Sequence, residues 1–229
     1  MSDQTLNPEE LLAEPNAGAA EDIEAEIDVD TPQGRFALSQ KDLSRMKRIG
    51  RWHGAAVLAG LGLYGAANAW AVSSGLMLAH AVAIGNAVVV ASALSGIFHE
   101  WGHFTGAKLT GSIAPVSKKP VRFYFMFNFD MEQNSVSQFI ALSLGGILAN
   151  WLLVLLIVAL IPITSVAAAA LVAVAIARAV NVSLFEVPVV QRVRESQDPG
   201  KELNHQLETF GLKQTPGVIA GALAFLAFT

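Results

Sequence analysis

The chain contains no cysteine. Disulfides and thiolate-ligated metal sites are therefore both excluded, and any metal must be held by His, Asp or Glu. Charge is also scarce. Only 15% of the 229 residues are Asp, Glu, Lys or Arg, and none of these falls in residues 54–99. With 53% hydrophobic residues and a mean hydropathy of +0.47, a soluble chain of this length could not hide its apolar surface. The composition is that of a polytopic membrane protein. Basic residues are nearly missing from residues 1–40, where Arg35 stands against ten Asp and Glu. A signal peptide needs a basic start and an apolar centre, so this segment reads instead as an acidic disordered tail.

Beyond the tail, the chain is organised by hydropathy. Lys41, Arg45, Lys47, Arg48 and Arg51 make residues 41–53 a basic juxtamembrane segment, which by the positive-inside rule puts the N-terminus in the cytoplasm. Residues 54–195 read as the transmembrane core. Spans are expected at 54–72, in the later part of the apolar run from 76 to 107, at 136–161 and at 166–190, with turns at 73–75 and 162–165. Residues 196–229 read as a cytoplasmic amphipathic helix leading into a short apolar segment. The expected fold is thus an α-helical polytopic membrane protein of about four to five transmembrane helices. Between the second and third spans, Phe123, Phe125, Phe127 and Phe129 recur at period two, the signature of a strand. At a membrane face this implies a membrane-associated β-hairpin.

Within the second span lies His99-Glu100-Trp101-Gly102-His103. Residues at i and i+4 share a helix face, so both imidazoles can reach one zinc ion while Glu100, turned by about 100°, can act as general base. Chance alone gives an HExxH in roughly one of two hundred chains of this composition. Ionisable groups in a span, however, each cost roughly 2.5–3.5 kcal/mol and are rarely idle. His99 precedes Lys108 by nine residues, or about 14 Å, which sets the motif within the membrane towards the cytoplasmic side. A third ligand is needed. Glu186, inside the fourth span, is one candidate. Asp198, in Asp198-Pro199-Gly200, is its rival, although Asp before Pro is also a good helix N-cap. Asn150 in the third span is a candidate donor to substrate backbone or an oxyanion, or else a partner in interhelical hydrogen bonding.

These residues resemble the site-2 protease family of intramembrane zinc metalloproteases over about residues 54–190. Phe98-His-Glu-Trp-Gly-His-Phe104 is similar to that family's HExxH segment. Leu144-Gly-Gly-Ile-Leu-Ala-Asn150 is similar to its central G-P-x-x-N segment, with Gly146 where proline is usual. The family's third motif, which supplies an aspartate ligand, is degenerate here: aligning its Asn with Asn181 puts Val189 at the aspartate position. The resemblance implies hydrolysis of peptide bonds in or near transmembrane segments of membrane proteins, with one Zn2+ per chain. The ligands would be His99, His103 and either Glu186 or Asp198. Phe125, Phe127 and Phe129 would present the substrate as an added strand. It also implies an integral protein of a bacterial inner membrane, whose partners are the bilayer and a membrane-protein substrate, with no nucleic acid. The degenerate motif leaves a catalytically inactive membrane adaptor of the same fold as the alternative. A zinc transporter or sensor fits less well, because the spans offer a single cluster of ligating groups.

Overall fold

The computed structural model describes residues 32–117, 126–210 and 214–229, with the side chains of 32–40 and 210 outside the description. It is built from helices. These are α1 (Pro32–Ser74), α2 (Met77–Leu109), α3 (Val136–Leu160), α4 (Val166–Ser196), α5 (Pro199–Phe210) and α6 (Thr215–Phe228). Segments of the first four, Lys41–Ser74, Met77–Leu109, Val136–Leu160 and Val166–Ser196, are long and apolar enough to cross a membrane. The chain is an α-helical membrane protein. Large apolar side chains face outward along them, including Leu58, Leu148 and Leu155, as a lipid-facing surface requires. Residues up to Met46 and from Lys47 onward form two compact units. In the first, Ser44 Oγ donates to the Lys41 carbonyl. α1 begins at Pro32, inside the stretch read from sequence as tail, and the rest of that stretch lies outside the described residues.

Lipid tails are as apolar as leucine, so packing rather than burial from water must hold the second unit together. Its sequence is suited to that. Ala79, Ala83, Ala87 and Ala91 recur at i+4 along α2 and are fully buried against α1, α3 and α4, together with Leu153, Ile157, Leu171 and Val172. Small residues at this spacing form a smooth ridge on which a neighbouring helix can lie close. A second small-residue pair, Gly102 and Gly106, meets α3. A β-carbon on Gly102 would strike the Gly145 carbonyl and Ala149, and one on Gly106 would strike the Ala141 carbonyl. The HExxH turn and the glycines of α3 are therefore in backbone contact.

The α1–α2 turn falls at Gly75, whose φ of +65° suits glycine. In the α2–α3 connection the expected hairpin is not shown. Among the described residues no strand forms, and the pairing consists of one isolated antiparallel bridge, Val116 with Phe127. It is flanked by hydrogen bonds from Ser117 N to Met126 O and from Asn128 N to Pro115 O. Phe123 and Phe125 lie outside the described residues. Asn134 clamps this segment by bonding both the N–H and the carbonyl of Ile113. Asp130 caps the next turn, and the N–H of Gln133 leads the interactions that hold its carboxyl below the usual carboxylate range.

α4 runs past the expected end of the fourth span, through Pro188, to Ser196. Proline has no N–H, so the Leu184 carbonyl loses its partner within the helix. Gln206 of α5 lies there instead, its Nε2 donating to that carbonyl at 3.4 Å. Arg192 fastens the same helix, donating to Glu202 Oε2 at 2.9 Å and to Gln206 Oε1 at 2.7 Å. The short apolar α6 packs along α4: Gly217 abuts the Asn181 amide, and Gly221 abuts the Ala173 carbonyl and Ala177. Since 217 pairs with 181 and 221 with 173, the two helices are antiparallel.

Candidate metal centre

α2, α3 and α4 meet at the HExxH motif. His99 and His103 stand on one face of α2, with their Nε2 atoms 2.9 Å apart. From α4, Glu186 Oε1 comes within 3.3 Å of His99 Nε2 and 3.0 Å of His103 Nε2. These three are the described residues grouped as a set that could hold a metal ion. Of the two carboxylates open at the sequence level, Glu186 is thus the one beside the histidines. Asp198 is exposed beyond the end of α4, where its Oδ1 accepts from the Lys201 N–H at 3.0 Å and caps α5. Its side chain serves the helix terminus and is not turned back to the histidines.

The donor chemistry fits a metal. His103 Nδ1 lies 2.8 Å from the Leu142 carbonyl. A carbonyl only accepts, so the proton sits on Nδ1, which leaves Nε2, facing His99 and Glu186, as the nitrogen that could ligate a metal. Metal–ligand bonds of about 2.0–2.1 Å in a tetrahedron separate donor atoms by roughly 3.3 Å. The observed triangle is slightly tighter. Glu186 is buried, and its second oxygen, Oε2, has no hydrogen-bond partner among the described residues. A buried carboxylate in that state needs a cation to be stable.

Asn150 stands behind His99. It is buried, with Nδ2 donating to the Gly146 carbonyl at 3.1 Å and lying 3.0 Å from His99 Nδ1. It does not appear among the residues lining the adjacent cavity. The geometry therefore gives it the role of holding His99, and its amide is engaged where an oxyanion donor would have to be free. If His99 ligates through Nε2, Nδ1 must carry the proton. Turning the Asn150 amide would let Oδ1 accept it, at the loss of the bond to Gly146. Trp101, on the far face of the motif, donates to His53 Nδ1 at 3.0 Å. His53 is buried and ties α1 to α2, although its sequence position beside Trp52 suggests an interfacial residue.

The centre opens on a cavity of about 580 Å³. Glu100 lines it and has no hydrogen-bond partner among the described residues, so its carboxylate is free to act on a bound molecule. Phe127 and Phe129 line it as well, whereas Met126, in the opposite phase, is fully buried in the protein. The period-two aromatics thus reach the site even though no strand is described; Phe125 lies outside the described residues. The cavity wall also includes Leu203 and Leu207 of α5, Gln214, and Arg178 and Asn181 of α4. By sequence position, either Arg178 or Arg192 could pair with Glu186. Arg192 instead pairs with Glu202, and Arg178 makes no hydrogen bond or ion pair among the described residues. The signal for α5 was its amphipathic pattern, but nothing in that pattern says what its apolar face covers.

No family model, curated protein or solved structure matches the chain.

Proposed function

We propose that the chain is an intramembrane zinc metalloprotease that hydrolyses peptide bonds in or near transmembrane segments of membrane proteins. The observation that carries this reading is the approach of Glu186 Oε1 to both HExxH nitrogens, at 3.3 and 3.0 Å, between two helices apolar enough to span a bilayer. His99 lies ten residues before the end of α2, or about 15 Å, which sets the site well inside that span.

His99, His103 and Glu186 would hold one Zn2+; two nitrogens and one oxygen, with no thiolate available, are a usual donor set for a hydrolytic zinc site. Bound there, the ion supplies Lewis acidity to a carbonyl and lowers the pKa of water. Glu100 removes the proton from the attacking water and passes it to the leaving amine. Leu142 and Asn150 hold the two rings in place. A helical substrate must unwind before water can attack, and the cavity gives an unwound segment apolar walls. The described segments at 113–117 and 126–130 would bind it by main-chain pairing, with Phe127 and Phe129 facing it; in this reading they belong to the membrane-associated hairpin. The basic residues at 41–51 put the N-terminus in the cytoplasm, and the bacterial inner membrane is the proposed location.

The test is to reconstitute the full chain in vesicles with single-span substrates and map the products by mass spectrometry. A cut inside the substrate's apolar segment is expected. Cuts confined to water-exposed segments, or no products at all, would overturn the reading.

A further inference from the structure

Arg178 is a cation in the middle of an apolar helix. Twelve residues separate it from Val166 and eighteen from Ser196, or about 18 Å and about 27 Å along α4. An arginine at such depth costs several kcal/mol in hydrocarbon, and is normally retained by pairing or by facing a polar cavity. Arg178 lines the cavity of the candidate metal centre, is exposed, and has no hydrogen-bond or ion-pair partner among the described residues. The nearby carboxylate, Glu186, is engaged with the two histidines.

One turn along the same face stands Asn181, which also lines the cavity. Its Oδ1 is buried against Gly217 of α6 and has no hydrogen-bond partner among the described residues. Residues 178, 181, 182, 185, 186 and 189 keep helical spacing, and all border the cavity. One face of α4 therefore carries, in line, a guanidinium without a partner among the described residues and, two turns on, the carboxylate of the metal centre. A guanidinium suits a carboxylate, which it can bind through two parallel N–H groups.

We infer that Arg178 is a specificity-determining residue that binds a carboxylate of the substrate peptide. The inference rests on the proteolytic reading and deepens it. Arg178 lies eight residues from Glu186, about 12 Å along the helix. An extended peptide advances about 3.3 Å per residue, so the recognised carboxylate stands about four residues from the scissile bond. It belongs either to an acidic side chain or to the substrate's own C-terminus. A lipid phosphate fits less well, because Arg178 is near the middle of its span and headgroups are at the surface.

The experiment measures binding of fluorescently labelled apolar peptides to the zinc-loaded full chain carrying Glu100→Gln, so that the probe stays intact. The peptides differ only in Glu or Gln at one position, scanned along the sequence, with a second pair differing in a C-terminal carboxylate or carboxamide. One pair is expected to show the charged peptide binding at least about tenfold tighter, and which pair does so identifies the source. Adding Arg178→Gln should erase that preference, Arg178→Lys should retain part of it, and Arg178→Glu should shift it to a Lys peptide. Equal binding within every pair, or a preference that survives Arg178→Gln, overturns the inference, as does a preference that appears only with anionic lipid. Cleavage of the same peptides by the chain with Glu100 intact separates the two claims. Cleavage without the preference removes the carboxylate site alone. The preference without any cleavage removes the protease reading and leaves the carboxylate site standing.

Discussion

The imidazole of His103 occupies the space that a β-carbon on Gly146 would need. The ring cannot retreat freely, because Nδ1 is bonded to the Leu142 carbonyl at 2.8 Å on the same helix as Gly146. α3 therefore acts as a mould for the second histidine of the motif, with a carbonyl to set its tautomer and a glycine to admit its ring.

Gly146→Ala is accordingly expected to displace His103 and weaken zinc binding by about ten- to a hundredfold, the usual cost of disturbing a ligand's support. Competition with a chromophoric chelator on purified protein measures it. The apolar residues of α3 should remain in place, so far-UV circular dichroism should be unchanged. Affinity equal to wild type would show that the contact is not formed.

Glu186 and Asp198 are expected to separate cleanly. If the proposed centre is right, Glu186→Gln removes its third donor and should abolish stoichiometric zinc. Asp198→Ala should leave zinc binding intact and cost about 1 kcal/mol through the lost cap on α5. Metal analysis of the two variants checks both. Zinc lost in Asp198→Ala and kept in Glu186→Gln would reverse the assignment.

The bond from Gln206 to the Leu184 carbonyl exists because Pro188 leaves that carbonyl without a helical partner. Gln206→Ala is expected to loosen α5 by about 1 kcal/mol, seen as faster amide exchange in α5. In a Pro188→Ala background the helix regains its own bond to Leu184, so the same substitution should cost less. A double-mutant cycle measures the difference. Full additivity would mean that the proline and the glutamine act independently.

Much of this was legible in the sequence, because helical period and bilayer length are local constraints. The pentad His99–His103 lies on a helix with both rings on one face, and four spans were readable from unbroken apolar runs. The carboxylate that stands beside those rings was not. Glu186 precedes Pro188 and Asp198 follows it, and only the course of α4 decides which of the two stands beside the histidines. Asn150 stood out as a polar group at depth, but its partner, His99, is on another helix. The cavity walls were less legible still: Leu203, Leu207 and Arg178 acquire their setting from the way α5 and α6 fold back on α4. The aromatics at 127 and 129 kept their period-two meaning by reaching the cavity, without a described strand to carry them.

In the proposed reaction everything depends on Glu100 acting on substrate at a metal held by His99, His103 and Glu186. The sharpest comparison sets wild type against Glu100→Gln, each carrying one zinc per chain, in cleavage of a reconstituted single-span substrate. Wild type is expected to cut, and Glu100→Gln, with its zinc retained, to be slowed by about a hundredfold or more, as for a lost general base. Equal rates from the two proteins would contradict that role for Glu100.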